Sequence, residues 1–218
     1  MVMPLNMEKR VQAWQGSREK LPSSAAPPEP GWSAQSDEAL LRAMAGGEGA
    51  AFDALFARHS STMLSFLSRL VASRCDPEDL LQETFLRVFT HAGDFRAGTA
   101  IRPWLFTIAR NVAINALKRG KLRADLEVQT DLSDWRPAGR SEQSADPSSR
   151  MELQEQKARV LAALQDLPPL HREIIILVIF NGFSYEEAAA ITGDPESTLR
   201  SRVFYALRKL RDRLKEPL

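Results

Sequence analysis

Two helix-start signals stand ten residues apart near the C-terminal end, and they leave the intervening chain little choice of fold. The first is Ser184-Tyr185-Glu186-Glu187, a capping box in which a hydroxyl and a glutamate three residues on satisfy each other's backbone donors. The second is Asp194-Pro195-Glu196, a cap followed by proline and an acid that suit a helix's first turn. Gly193 lies between them and ends the first helix. A short helix over Tyr185 to Ile191, a tight turn and a long final helix to about Lys215 make a helix-turn-helix. At about 100° per residue, Leu199, Val203, Ala206, Leu207, Leu210 and Leu214 of that last helix share one stripe. Ser201, Tyr205 and Arg208 point away from it, Ser197 and Thr198 sit near its start, and Arg200 and Arg202 flank it.

Charge placement agrees with a nucleic-acid role for this helix. The whole chain of 218 residues has 29 Lys+Arg against 28 Asp+Glu, a net of +1 that says nothing about partners. Residues 196–218, however, carry seven basic side chains and three acids, so the remainder is net negative. Guanidinium groups pair with guanine edges, hydroxyls contact phosphate or base, and a helix N-terminus favours phosphate. Against this stands the plainer reading of a basic, solvated helix on an ordinary bundle; the ordered run of turn, cap and basic helix outweighs it.

The rest of the second compact piece, roughly residues 150–216, is also helical by pattern. Met151 to Leu167 is amphipathic with Val160, Leu161 and Leu164 inward, Pro168-Pro169 ends it, and Leu170 to Phe180 is apolar enough to be a buried helix stopped at Asn181-Gly182.

A first compact piece spans roughly 37–119. Ser36-Asp37-Glu38 starts a helix that Gly46-Gly47 breaks. A second carries Phe52, Leu55, Phe56, Met63, Phe66, Leu67 and Leu70 at core spacings. Asp76-Pro77-Glu78-Asp79 opens a third, with Leu81, Phe85, Val88 and Phe89 inward and Asp79, Gln82, Glu83 and Leu86 on the opposite face. That face is either a solvated surface with one stray leucine or a protein-binding surface, since a leucine framed by acids and an amide also describes an interface. A loop from His91 to Arg102, containing Asp94, Phe95 and Arg96, precedes a helix opened by Pro103. Leu105, Ile108, Ala109, Val112 and Ala116 take its inner side, and Thr107, Arg110, Asn111, Asn115, Lys118 and Arg119 its outer side, with Trp104 at the entrance. Aromatic and guanidinium planes stack on unstacked bases and amides bond base edges, so this surface suits single-stranded nucleic acid. A polar surface helix with a half-buried Trp fits the same residues equally well.

Two segments read as non-globular. Residues 1–36, with Pro22, Pro27, Pro28 and Pro30, are expected to form a mobile arm; residues 120–149, with Pro137, Pro147, Gly139 and five serines, a flexible linker. Trp135 within the latter is either an incidental exposed aromatic or a docking point on a partner. The expected fold class is therefore all-α: two small helical domains on a tether, the C-terminal one a helix-turn-helix. No alternating pattern argues for a sheet.

Several functions are disfavoured by composition. The lone cysteine, Cys75, excludes an intrachain disulfide, and His59, His91 and His171 are too dispersed to suggest a metal site. The longest apolar run, Ile174 to Phe180, is far short of a membrane span. No secretory leader is visible, so a cytoplasmic protein is expected. A GxxxxGK[ST] phosphate loop is missing, and no paired carboxylates or His-centred cluster is placed for chemistry. No cofactor and no catalytic role are expected. The remaining rival is a ligand-sensing helix-turn-helix repressor, which would bind duplex DNA by itself and usually as a symmetric dimer.

The order of these parts resembles the extracytoplasmic-function (ECF) subfamily of bacterial sigma factors, the promoter-specificity subunits of RNA polymerase. The resemblance rests on Asp76-Pro-Glu-Asp-Leu-Leu-Gln-Glu-Thr-Phe-Leu-Arg-Val-Phe89, Pro103-Trp-Leu-Phe-Thr-Ile-Ala-Arg-Asn-Val112, Leu167-Pro-Pro-Leu-His-Arg-Glu173, Phe183-Ser-Tyr-Glu-Glu-Ala188 and Ser197-Thr-Leu-Arg-Ser-Arg-Val203. It implies that Asp79, Gln82, Glu83 and Leu86 grip the clamp of the largest core polymerase subunit. It implies that the Gly93–Arg102 loop, with Asp94, Phe95 and Arg96, holds a base flipped from the −10 element, while Trp104, Arg110, Asn111, Asn115 and Arg119 line the non-template strand. It implies that Ser197, Thr198, Arg200, Ser201, Arg202, Tyr205 and Arg208 meet the −35 element, and that an anti-sigma partner holds the protein inactive. Ile101 stands where the family usually has Phe, Asn115 where Asp is common, Ser197-Thr198-Leu199 in place of Gly-Thr-Val, and Tyr205 and Leu207 where Arg is common.

Overall fold

A computed structural model describes residues 30–126 and 147–215. Residues 1–29 of the expected arm (1–36) and 127–146 of the expected linker (120–149), Trp135 included, lie outside the described residues; of the remainder, Pro30–Ser33 is a helical turn and a helix already begins at Pro147, four residues before the expected Met151. Among the described residues there are helices and no strands. After a single helical turn at Pro30–Ser33 come α1 (Asp37–Ala45), α2 (Gly49–Val71), a 3-10 turn (Ala72–Arg74), α3 (Pro77–His91), a second 3-10 turn (Ala92–Asp94), α4 (Ile101–Leu126), α5 (Pro147–Gln165), α6 (Pro169–Ile175) running into a π turn (Ile176–Phe180), α7 (Tyr185–Thr192) and α8 (Glu196–Lys215).

By Cα proximity these gather into two compact units. Of the described residues, one unit holds 30–65 and 78–112; the other holds 66–77, 113–126 and 147–215.

In the first unit, the Ser36 hydroxyl accepts from the Ala39 amide at 3.2 Å and starts α1, which buries Leu40, Leu41 and Met44. Gly47 ends it at φ +100°, a backbone that only glycine adopts without strain. Phe52 and Phe56 of α2 meet Phe85 of α3 with ring centroids 6.0 and 4.7 Å apart, and Phe89 joins Phe52 edge-on at 6.0 Å. A polar latch ties α1 to α2. Arg58 donates to the Asp37 carboxylate and to the carbonyls of Ser33 and Gln35, while His59 Nε2 lies 2.8 Å from Asp37 Oδ2. Burial acts to raise the Asp37 carboxyl, but hydrogen bonds and charge from His59 and Arg58 outweigh it and hold it below the usual range.

In the second unit, Leu164, Leu167, Ile174, Ile175, Ala188, Leu199, Val203 and Ala206 form one core. Arg172 is buried there, yet its guanidinium donates to the carbonyls of Leu164, Gln165 and Leu167 and so satisfies the end of α5. Asn181 Nδ2 donates to the Ile176 carbonyl at 2.7 Å and closes the π turn. The capping box at Ser184 and Glu187 is present in both directions. Gly193 sits at φ +80° and its amide donates to the Ala189 carbonyl at 2.8 Å.

The structure departs from the sequence pattern in four further places. α4 begins at Ile101, two residues before Pro103, because proline is tolerated anywhere in a first turn whose amides have no intrahelical acceptor. The same helix runs through Gly120 to Leu126, where a single glycine costs only about 1 kcal/mol among good helix formers. Leu170, Ile179 and Phe180 are exposed, so Leu170 to Phe180 is not buried throughout. An unbroken apolar run has to turn part of itself outward when the core lies on one side. On α8, Leu207 and Leu214 are exposed as well, leaving a narrower buried stripe of Leu199, Val203 and Ala206.

Candidate functional site

Three surfaces carry the residues singled out above. On α3, Asp79 and Gln82 are exposed and Glu83 and Leu86 half-buried. Spacings of three and four residues put all four on one side of the helix, away from buried Leu81, Phe85 and Val88. Glu83 accepts from Arg87 Nε at 2.8 Å, which fixes its carboxylate on that side. Leu86 is thus a partly covered leucine framed by two acids and an amide, not an isolated exposed one.

The loop before α4 is held by its own contacts. His91 Nδ1 lies 2.8 Å from Asp94 Oδ2. Thr99 returns to the Arg96 carbonyl through both its hydroxyl (2.7 Å) and its amide (3.2 Å), a turn that Gly98 permits at φ +81°. Phe95 packs edge-on against Trp104, centroids 5.4 Å apart, and both rings stay half-exposed. Arg96 is exposed. Along α4, Leu105, Phe106, Ala109, Val112 and Ala113 are buried. Asn111, Asn115 and Arg119 are exposed, on the side of the helix that Trp104 opens, and half-buried Arg110 lies one step round. An aromatic pair at the entrance of a helix, with two amides and cations along it, can stack and hydrogen-bond unpaired bases. Cys75 is half-buried; burial pushes its thiol up, with Arg119 and Arg74 opposing, so it lacks the lowered pKa of a reactive thiol.

The third surface is α8. Ser197, Arg200, Ser201, Tyr205 and Arg208 are exposed opposite the buried stripe, and Thr198 is half-buried. The Ser201 hydroxyl donates to the Ser197 carbonyl at 3.0 Å. Arg200 reaches back to Glu196 at 3.1 Å and lies over the Tyr185 ring of α7 at 4.4 Å, which extends it along the surface. Arg202 differs from the rest: its guanidinium is 2.5 Å from Asp194 in the turn, and the side chain is only 18% exposed. It ties the final helix to the turn before it. Sequence reasoning also passed over Phe204, which is 64% exposed beside Tyr205. Its place off the apolar stripe was the available signal.

Comparison with known proteins shows the family. The Sigma-70 region 2 family matches residues 55–123, and Sigma-70, region 4 matches 157–210. The RNA polymerase sigma factor CarQ of Myxococcus xanthus is 39% identical over 166 residues, 76% of this chain and 90% of that protein. The ECF RNA polymerase sigma-E factor of Escherichia coli K12 is 32% identical over 184 residues, 84% of this chain and 95% of that protein.

The chain belongs to the ECF family of RNA polymerase sigma factors.

Solved sigma-factor structures agree in fold. CnrH, in complex with the cytosolic domain of CnrY, is 27% identical with a TM-score of 0.60, covering 83% of this chain and 97% of that one. RpoE of Bartonella quintana, in complex with the anti-sigma factor NepR, is 30% identical with a TM-score of 0.60, covering 77% and 98%. As an ECF sigma factor the chain is a transcription-initiation factor that directs RNA polymerase to promoters. Among the described residues no helix is long and apolar enough to cross a membrane.

Proposed function

We propose that the sigma factor divides promoter recognition between its two helical segments, residues 37–119 meeting core polymerase and the −10 element and residues 150–218 meeting the −35 element. Asp79, Gln82, Glu83 and Leu86 on α3 bind the clamp of the largest core subunit. Asp94, Phe95 and Arg96 hold an extruded base, and Trp104, Arg110, Asn111, Asn115 and Arg119 line the displaced strand. Capture of unpaired bases offsets the few kcal/mol of unstacking, so melting needs no nucleotide hydrolysis by this chain. Ser197, Thr198, Arg200, Ser201, Tyr205 and Arg208 face the major groove, and Arg202 acts from behind by holding the turn. The chain itself makes and breaks no bond and works in the cytoplasm. Core polymerase sets the spacing of the two segments, which makes the second DNA contact effectively intramolecular. An anti-sigma protein holds the factor inactive, in line with the partners of the CnrH and RpoE relatives.

The observation that carries this reading is the outward row Ser197, Ser201, Tyr205 and Arg208 on a helix whose opposite side is sunk in the core. A ligand-sensing repressor would need the same row but no polymerase. Replacing Asp79 and Gln82 together with Ala is expected to lower recovery of core polymerase with the tagged factor at least fivefold while duplex recognition by α8 persists. Undiminished co-purification would remove the α3 assignment, and run-off RNA from defined starts without added core would remove the whole reading.

A further inference from the structure

Hydroxyls and guanidinium groups account for most of the outward side of α8, but not for its middle. Phe204 is 64% exposed, Tyr205 58% and Leu207 45%. The Phe204 and Tyr205 rings meet edge to face, centroids 5.6 Å apart and planes at 76°. Phe204, Leu207, Arg208 and Arg211 lie side by side along the same helix. At about 100° per residue, Phe204 lies between Arg200 and Arg208 on the side away from Leu199, and about 10 Å along the axis from Ser197. That position is central to the row assigned to the −35 element, where a charged or hydrogen-bonding residue would be the ordinary choice.

A phenyl ring can neither donate to nor accept from a base edge, and it gains nothing from phosphate. In the major groove the apolar feature of a base edge is the C5-methyl of thymine. Tyr205 steadies the Phe204 ring against its edge, so less side-chain freedom is lost on contact. We propose that Phe204, braced by Tyr205, is a specificity-determining residue that reads thymine methyl groups in the middle of the duplex element seated on α8. This rests on the assignment of α8 to the −35 element given above. A protein partner on the same patch would also cover Phe204, but would be indifferent to the methyl group.

Holoenzyme assembled from core polymerase and full-length factor is used to select from promoters randomised across the −35 region. Each selected thymine is then replaced singly by deoxyuridine, which lacks only the methyl. The wild type is expected to enrich thymine at one or two adjacent central positions. Deoxyuridine there is expected to weaken binding about fourfold, the effect of losing one buried methyl. Phe204→Ala is expected to bind thymine and deoxyuridine templates equally, and Phe204→Leu to keep part of the difference. Equal binding of the two bases by the wild type overturns the proposal, as does selection without thymine. A Phe204→Ala loss that is the same on every template also overturns it and points to a protein contact; the thermal melts of both variants separate that result from unfolding. Failure of the underlying assignment looks different, because then no sequence at all is enriched across the −35 region.

Discussion

The outward sides of α4 and α8 carry two kinds of side-chain chemistry on the same type of element. α4 exposes Asn111, Asn115 and Arg119 along the side opened by Trp104, which packs edge-on with Phe95 of the preceding loop. α8 exposes Ser197, Arg200, Ser201, Tyr205 and Arg208, and its arginines are steered by acids and a ring: Arg200 by Glu196 and Tyr185, Arg202 by Asp194. Flat rings and amides suit bases already out of the stack, whereas steered cations and hydroxyls suit the edges and phosphates of an intact duplex. The difference lies in side chains rather than in backbone, since both helices bury a stripe and expose its opposite.

The largest test of this division is Trp104→Ala. Stacking on an aromatic contributes about 1–3 kcal/mol per base, so open-complex formation, read by permanganate reactivity and run-off RNA, is expected to fall tenfold or more. Recognition of the duplex −35 element should be untouched; equal loss of both would erase the distinction between the two helices. Next comes Arg200→Ala, expected to lower −35-dependent transcription about fivefold with core binding intact. It is sharpened by Asp194→Ala, which should reproduce the phenotype of Arg202→Ala together with a lower melting temperature, because both break the same anchored pair. A strong Arg202→Ala defect with a silent Asp194→Ala would return Arg202 to direct DNA contact.

The smallest effect concerns the latch of α1 on α2. Asp37 has a lowered pKa in the folded chain, so its contribution is full above the unfolded value of about 3.9 and is lost as pH falls through the folded one. Asp37→Asn is therefore expected to cost about 1 kcal/mol at pH 7. That gap should shrink below about pH 4, as followed by thermal melts. A constant gap at all pH values would mean that shape rather than charge holds the latch.

Much of the fold could be read from local signals. The caps at Ser36, Ser184 and Gly193 each act within four residues, and each stands where the pattern put it. Boundaries were less legible: Pro103 and Gly120 look like punctuation yet both lie inside α4. At the sites, the α3 face and the α8 row follow from spacing alone. The separate role of Arg202 does not, because Asp194 is eight residues away and its carboxylate is aimed by the turn. Phe204 was legible as a residue off the stripe, but its exposure and its contact with Tyr205 depend on how narrow the buried stripe turns out to be.

Helix type, helix order and the helix-turn-helix were determined by the amino-acid sequence itself, since capping and periodicity operate between neighbours along the chain. Tertiary structure alone decided which charges are tied down and which apolar side chains stay in solvent. Arg58 with Asp37, 21 residues apart, and Arg213 with Asp166, 47 apart, meet only after packing brings distant segments together. The core in turn admits only as much of each apolar stripe as it has room to cover.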